Sequence, residues 1–258
     1  MYTSPMKKAL IGYTGFVGSN LDSQTDFTHK YNSKNIADID GEEFDVVYCA
    51  GVQAVVWWAN QNAEEDLAQI NNLMDHLRTI KAKKFVLIST VDVYPEPFNV
   101  NEDTDLSQVE NCPYGENRLY VENFVKENFA DHHIIRLPGL FGPGIKKNVL
   151  FDLLNDNYLH ALNDQCIFQY YDLRNIQADI QKVVDNNIRL MNFATEPVSS
   201  KEVIDALFPG KEYGSEPGAM KHYDFHTKNA SAWGKSGNYI YDKSEVLAQL
   251  GDFVESTK

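Results

Sequence analysis

The chain has 258 residues, 43% hydrophobic and 23% charged, which suits one large core or a core with a small appendage. A formal net charge of −14 excludes the basic face that nucleic-acid binding needs, and no apolar stretch approaches the ~20 residues of a membrane-spanning helix. The 3 cysteines, Cys49, Cys112 and Cys166, are too scattered for a disulfide framework or a zinc motif.

The N-terminal MYTSPMKK lacks the apolar core of an export signal, so a protein of the reducing cytoplasm is expected. Ala9, Leu10 and Ile11 form a short apolar run of the kind a buried parallel strand shows. Gly12, Gly15 and Gly18 follow, and Phe16, Val17 and Leu21 then repeat at helical spacing over Phe16–Asp22. Strand, glycine turn and amphipathic helix in that order make a phosphate site. The glycines are expected to let the backbone approach a pyrophosphate, and the helix N-terminus offers N–H groups and a partial positive charge to the same anion.

Phe27–Tyr31 reads as a second strand ending at Asn32, Ser33 and Lys34. Phe44–Cys49 is a third, closed by Ala50 and Gly51. Leu67, Ile70, Leu73, Met74 and Leu77 make the stripe of a helix over Ala63–Ile80. Phe85–Ser89 is a strand, Thr90–Glu110 a polar segment, Tyr114–Phe129 a helix and His133–Leu137 a strand stopped by Pro138 and Gly139. This alternation predicts an α/β fold, a doubly wound parallel sheet with helices on both faces. From residue 144 the pattern loosens. Helices are expected over Val149–Leu162, Ala178–Leu190, Glu202–Phe208 (capped by Ser199 or Ser200) and Lys243–Leu250, with extended segments at Ile167–Tyr171 and Met191–Ala194. The division expected is a dinucleotide-binding part over 1–143 and a mixed part over 144–258 that completes the sheet and forms a small lid.

Three side chains could do chemistry. Thr90 stands at a strand end, where such folds place their active sites. Tyr114 opens a major helix and Arg118 lies one turn on, sharing its face. A cation beside a phenol favours the phenolate and lowers its pKa, and such a phenol can exchange a proton with a substrate hydroxyl while Thr90 orients the same oxygen. The same spacing also suits a stacked surface pair. Asp92 follows Thr90 by two positions as a further acid/base or a loop cap. Trp57, Trp58, His222 and His226 could line a pocket or pack, and the histidines lack the carboxylates of a metal site, so no metal is expected.

GYTGFVG, ISTVDVY, PYGENRLYVENFV, RLPGLFGPG and MNFATEPVSSKEV together resemble, in order, the extended short-chain dehydrogenase/reductase superfamily in its NAD-dependent epimerase/dehydratase branch of nucleotide-sugar enzymes. The resemblance implies a Rossmann fold and an NAD or NADP cofactor. It also implies hydride transfer at a sugar hydroxyl or ketone, with Thr90 and Tyr114 as the hydroxyl pair. Gly12, Gly15, Phe16, Val17 and Gly18 would cradle the pyrophosphate. Asp38 and Ile39 would meet the adenine, Ala50 and Gly51 the ribose, Asn71 the nicotinamide, and Pro138 with Leu140 its carboxamide.

Three departures from that pattern stand out. Arg118 replaces the family's catalytic lysine and cannot reproduce an ammonium's contacts with the ribose. Asn32, with Ser33 and Lys34, replaces the acidic residue that accepts from an NAD ribose, so NADP is preferred to NAD. The chain is also short for the branch, which reduces the lid. Asp92 stands where dehydratases of the family carry a proton-abstracting glutamate, but Val91 fills the place of its partner acid, which favours epimerisation or simple reduction over dehydration. A nucleotide sugar is the expected substrate, a homodimer the possible assembly, and an NAD(P)-binding regulator that has lost turnover the alternative. Arg174, Lys146, Lys147, Lys211 and Lys221 could meet diphosphate groups or simply be solvated.

Overall fold

Short β-branched and apolar runs between glycine- and asparagine-rich links give β1 (Lys8–Ile11), β2 (His29–Tyr31), β3 (Glu43–Cys49), β4 (Lys81–Thr90) and β5 (His132–Leu137). Between them run α1 (Phe16–Gln24), α2 (Val56–Gln61), α3 (Ala63–Leu77) and α4 (Pro113–Asn128). Next come β6 (Gly139–Phe141), α5 (Val149–Asn155), β7 (Ile167–Phe168), β8 (Tyr170–Asp172) and α6 (Ile176–Asp185). The chain ends with β9 (Leu190–Asn192), β10 (Val198–Ser199), α7 (Ser200–Leu207) and α8 (Lys243–Ser256). This computed structural model describes residues 6–51 and 53–257, so the reading of the N-terminus lies in part outside the described residues.

The main sheet has 6 strands in the order β2-β1-β3-β4-β5-β9. β1 runs parallel to both β2 and β3, and β3 parallel to β4, with Ile11 opposite Cys49 and Cys49 opposite Leu87. Side chains alternate between faces along each strand. Ala9, Ile11, Val47, Cys49, Phe85 and Leu87 therefore share one face, where they pack with Ile70, Leu73, Met74 and Leu77 of α3 and Val121, Phe124 and Val125 of α4. Leu10, Tyr48 and Val86, also buried, point to the other face, on which α1 and α6 meet. This is the doubly wound arrangement expected. The order reverses at β1, between β2 and β3, so a crevice opens at the carboxyl ends of β1 and β3.

Several boundaries differ from the expected ones. β4 begins at Lys81 rather than Phe85, because Lys81 and Lys83 pair across the strands with Glu43 and Asp45 of β3 and charged residues conceal a strand from hydrophobic patterning. α2 was not foreseen, since Val56, Trp57 and Trp58 carry strand-like propensity. The helix expected over Ala178–Leu190 is α6, which stops at Asp185. Asn187 there takes a left-handed φ of 52° and the Ile188 N–H returns to the Val183 carbonyl at 3.0 Å, a common helix ending.

Contacts within the chain group it into two units, the first holding residues up to 95, 105–136 and 176–191 and the second holding 96–104, 137–175 and 192–258. Leu150, Leu153, Leu162, Val203, Ile204, Val246, Leu250 and Phe253 are among the core residues of the second unit. Its helices α7 and α8 each begin with a capping box, Ser199 with Glu202 and Asp242 with Glu245. Buried Glu102 accepts from the Thr227 hydroxyl at 2.6 Å and from the Asn192 and Lys228 N–H groups at 2.8 and 3.0 Å, joining three distant segments of that unit. No helix among the described residues is long and apolar enough to cross a membrane.

Candidate functional site

The site is built at the carboxyl ends of β1, β3 and β4. Gly12 takes a φ of 82°, and a Cβ on it would lie 2.5 Å from the Ala50 carbonyl oxygen and 2.6 Å from Gly51 Cα. A Cβ on Gly18 would lie 2.1 Å from the Gly12 carbonyl oxygen. The fold's own backbone therefore requires glycine at these two positions. Gly15 differs. It is exposed and is the N-cap of α1, which has no side-chain cap and no acidic residue in its first turn. The first-turn N–H groups of Phe16, Val17 and Gly18 thus carry the helix's positive end toward an outside acceptor, and this arrangement fits the paired phosphates of a dinucleotide.

Around Thr90, local structure and packing converge. Thr90 ends β4 and caps a 3₁₀ turn over Val91–Val93, where its Oγ1 accepts from the Asp92 N–H at 3.1 Å and donates to Asp92 Oδ2 at 3.0 Å. Asn111 Nδ2 donates to the carbonyls of Asp92 and Val93 at 2.9 and 3.0 Å, tying that turn to the start of α4. Gly115 allows the close approach, since a Cβ there would stand 2.4 Å from the Asp92 carbonyl oxygen. The Tyr114 N–H, one of the unpaired donors of the first helical turn, donates to Asn60 Oδ1 of α2 at 3.0 Å. Tyr114 is thereby fixed with its hydroxyl hydrogen-bonded to Thr90 and near Asp92. Behind it, Arg136 forks onto Glu122 at 2.9 and 2.7 Å and donates to the Tyr94 hydroxyl at 2.7 Å. Ser89 also donates to Glu122 at 2.7 Å, so β4, α4 and β5 are locked together.

The sequence led to one expectation here that the structure corrects, a phenol lowered by its neighbouring cation. Arg118 does lie over Tyr114, its guanidinium carbon 4.3 Å from the ring centroid. It is not a free cation, because it forks onto Asp66 of α3 at 2.7 and 3.1 Å and donates to the Gln53 carbonyl. The Tyr114 phenol is not lowered either. Burial pushes it up to about 12, Arg118 pulls it down, Asp92 pushes it up, and bonds with Thr90 and Arg118 pull it down. Burial wins because an anion loses more solvation there than one compensated cation restores.

Other expected residues scatter. Asn71 accepts from the exposed Tyr120 hydroxyl at 3.3 Å, which links α3 to α4. Ile39 is fully buried in the core and offers no side-chain surface to an adenine, whereas Asp38 beside it is exposed. Asn32 turns its Oδ1 back onto the Lys34 N–H at 2.9 Å, leaving no carboxylate at the end of β2. Pro138 and Leu140 belong to the second unit, where the strand Gly139–Phe141 pairs with Tyr170–Asp172. Trp57 is 63% exposed, His222 packs against Phe98 with the rings tilted by 60°, and His226 lies 3.3 Å from Asp224. Arg174 forks onto Asp172 and Lys211 pairs with Asp156, so both already have carboxylate partners. Among the described residues, no cluster of His, Cys, Asp and Glu could hold a metal. Asp66, Asn60, Asn111 and Gly115 had no signal in the sequence, since each acts through residues distant in the chain.

The profile of the NAD dependent epimerase/dehydratase family matches residues 24–167, more than half of the chain. The chain belongs to this family. Comparison with curated proteins found no match. Among solved structures, the fold resembles that of a dTDP-4-dehydrorhamnose reductase from Bacillus anthracis in complex with NADP, at 15% identity and a TM-score of 0.74, covering 98% of this chain and 100% of that one. It also resembles MoeE5 in complex with UDP-glucuronic acid and NAD, at 16% identity and 0.73, covering 98% and 100%. A UDP-glucuronic acid 4-epimerase from Bacillus cereus, in complex with UDP-glucuronic acid and NAD, matches at 18% and 0.69, covering 98% and 100%. Arg118, which the sequence resemblance puts in the place of a lysine, has Asp66 as its carboxylate partner.

Proposed function

We propose that this member of the epimerase/dehydratase family is an NAD(P)-dependent oxidoreductase or epimerase acting on a sugar hydroxyl or ketone of a nucleotide sugar. The observation that carries this reading is the juxtaposition of Thr90, Asp92 and Tyr114 at the same sheet edge as the uncapped glycine turn. Neighbouring folds that bind NAD together with UDP-glucuronic acid or UDP-glucose, and one that binds NADP, support it. The nicotinamide, when bound, would donate or accept the hydride. Tyr114 would move the accompanying proton at the substrate oxygen. A phenol held up to about 12 is protonated at neutral pH, so it is poised to give its proton to a carbonyl oxygen, and ketone reduction is the direction these residues favour. Thr90 has one hydroxyl proton, which Asp92 accepts in the free site, and Thr90 would orient a carbonyl oxygen by redirecting that proton onto it. Gly15 and the first turn of α1 would hold the phosphates. Asn32, Ser33 and Lys34 would accept a 2′-phosphate without carboxylate repulsion, favouring NADP.

One observation favours the alternative of a dinucleotide-binding regulator, namely the fork that consumes the charge of Arg118. Turnover separates the two readings. Purified chain is given NADPH or NADH with a panel of keto and hydroxyl nucleotide sugars, and Tyr114→Phe is assayed beside it. Loss of turnover by at least about 100-fold with unchanged dinucleotide affinity is expected. Tight dinucleotide binding with no turnover on any sugar would transfer the assignment to the regulator.

A further inference from the structure

Arg118 and Asp66 are each almost wholly buried, with side chains 5% and 3% exposed. Isolated charges in such a place are costly, and the pair is tightly satisfied. Asp66 Oδ2 accepts from Arg118 at 2.7 Å and from Asn117 Nδ2 at 2.9 Å, Oδ1 accepts from Arg118 at 3.1 Å, and the Gln53 carbonyl takes a further guanidinium N–H. The same guanidinium lies over the Tyr114 ring, with 4.3 Å from its carbon to the centroid. A two-pronged fork and a ring contact made at once suit a planar guanidinium better than the point charge of an ammonium, so the residue that replaces the family's lysine and the carboxylate facing it form one device.

We propose that Asp66 is a positioning residue for the Tyr114 site. By taking both prongs of Arg118 it holds the guanidinium against the phenol ring and cancels much of the charge that would otherwise act on the phenol oxygen. The proposal rests on the reading of Tyr114 as the proton carrier, yet it concerns the state of that phenol whether or not the chain turns over. The charged groups that face the phenol are Arg118 from its own helix, Asp92 from the turn after β4 and, through Arg118, Asp66 from α3. α2, which contributes Asn60, has no charged side chain.

The test titrates Tyr114 in the full chain by phenolate absorbance, as the difference between each protein and the same protein carrying Tyr114→Phe. Asp66→Asn keeps the size and hydrogen-bonding edge of the side chain but leaves Arg118 uncompensated. Its phenol should ionise at least about one pH unit lower, which is tenfold more phenolate at a given alkaline pH, and Asp66→Glu should restore much of the wild-type titration. A folded Asp66→Asn protein whose titration superimposes on wild type would overturn the proposal. If that variant does not fold, Asp66→Ser is read in its place, since it also removes the carboxylate that faces Arg118. The same downward move is expected, and no move would overturn the proposal equally. A moved titration without turnover on any sugar would remove the enzyme reading and leave the role of Asp66 standing. Turnover that depends on Tyr114 with an unmoved titration would do the reverse.

Discussion

At Tyr114, burial and an adjacent cation act in opposite directions on one proton. Spacing alone made the cation look decisive, because Arg118 sits one helical turn away and phenolate is favoured by positive charge. Two facts outweigh it. Tyr114 is 3% exposed, and the Asp92 carboxylate nearby also disfavours the phenolate. The phenol is held up to about 12 against an ordinary 10.0, so the folded chain keeps its proton where the unfolded chain loses it. The stability linked to this group is fully present below pH 10 and is lost as pH rises through about 12. Urea unfolding followed from pH 9 upward should therefore show a steeper alkaline loss of stability in the wild type than in Tyr114→Phe, which lacks the titrating group. Parallel curves would mean that the phenol is solvated in the folded chain.

The turn between β1 and α1 shows how one motif divides its labour. Gly12 and Gly18 satisfy the fold, since a Cβ on either would meet main-chain atoms within 2.6 Å. Gly15 meets only the Gly12 carbonyl oxygen, at 3.3 Å, and stands exposed at the N-cap. The three alanine substitutions should therefore separate. Gly18→Ala should destabilise by about 3 kcal/mol or more, the range of severe core strain. Gly15→Ala should cost no more than about 1 kcal/mol yet weaken dinucleotide binding at least about tenfold, by crowding the first-turn N–H groups. Denaturant melts and binding isotherms on the same preparations decide this, and equal stability losses at both positions would contradict the division. A comparable argument holds at the start of α4, where Gly115 and Asn111 bring Tyr114 against the turn carrying Thr90 and Asp92.

Over the whole molecule, a ligand that binds only the folded chain stabilises all of it by mass action. At 100 times its dissociation constant the gain is about 2.7 kcal/mol, and for a chain of this length that corresponds to roughly 5–10 °C in Tm. NADPH should give this shift more readily than NADH, because the residue after β2 is Asn32, an amide folded onto the Lys34 N–H, and not a carboxylate. Asn32→Asp should invert the order, and thermal melts with each dinucleotide measure it. An unchanged order in Asn32→Asp would place the discrimination elsewhere on the molecule.

Periodicity and glycine spacing by themselves determined the doubly wound sheet, the run of helices from Phe16 to Asn128 apart from α2, and the location of the glycine turn, Thr90 and Tyr114. Those signals are local, since a buried strand or an amphipathic face is written in consecutive residues. The tertiary structure alone decided what state the site residues are in. Asp66 reaches Arg118 across 52 residues and Asn60 reaches Tyr114 across 54, and Ile39 is fully buried in the core. Burial, ion pairing and hydrogen bonding depend on which distant segments meet, and no spacing along the chain encodes how much solvent a phenol has lost or whether a neighbouring charge has already been answered.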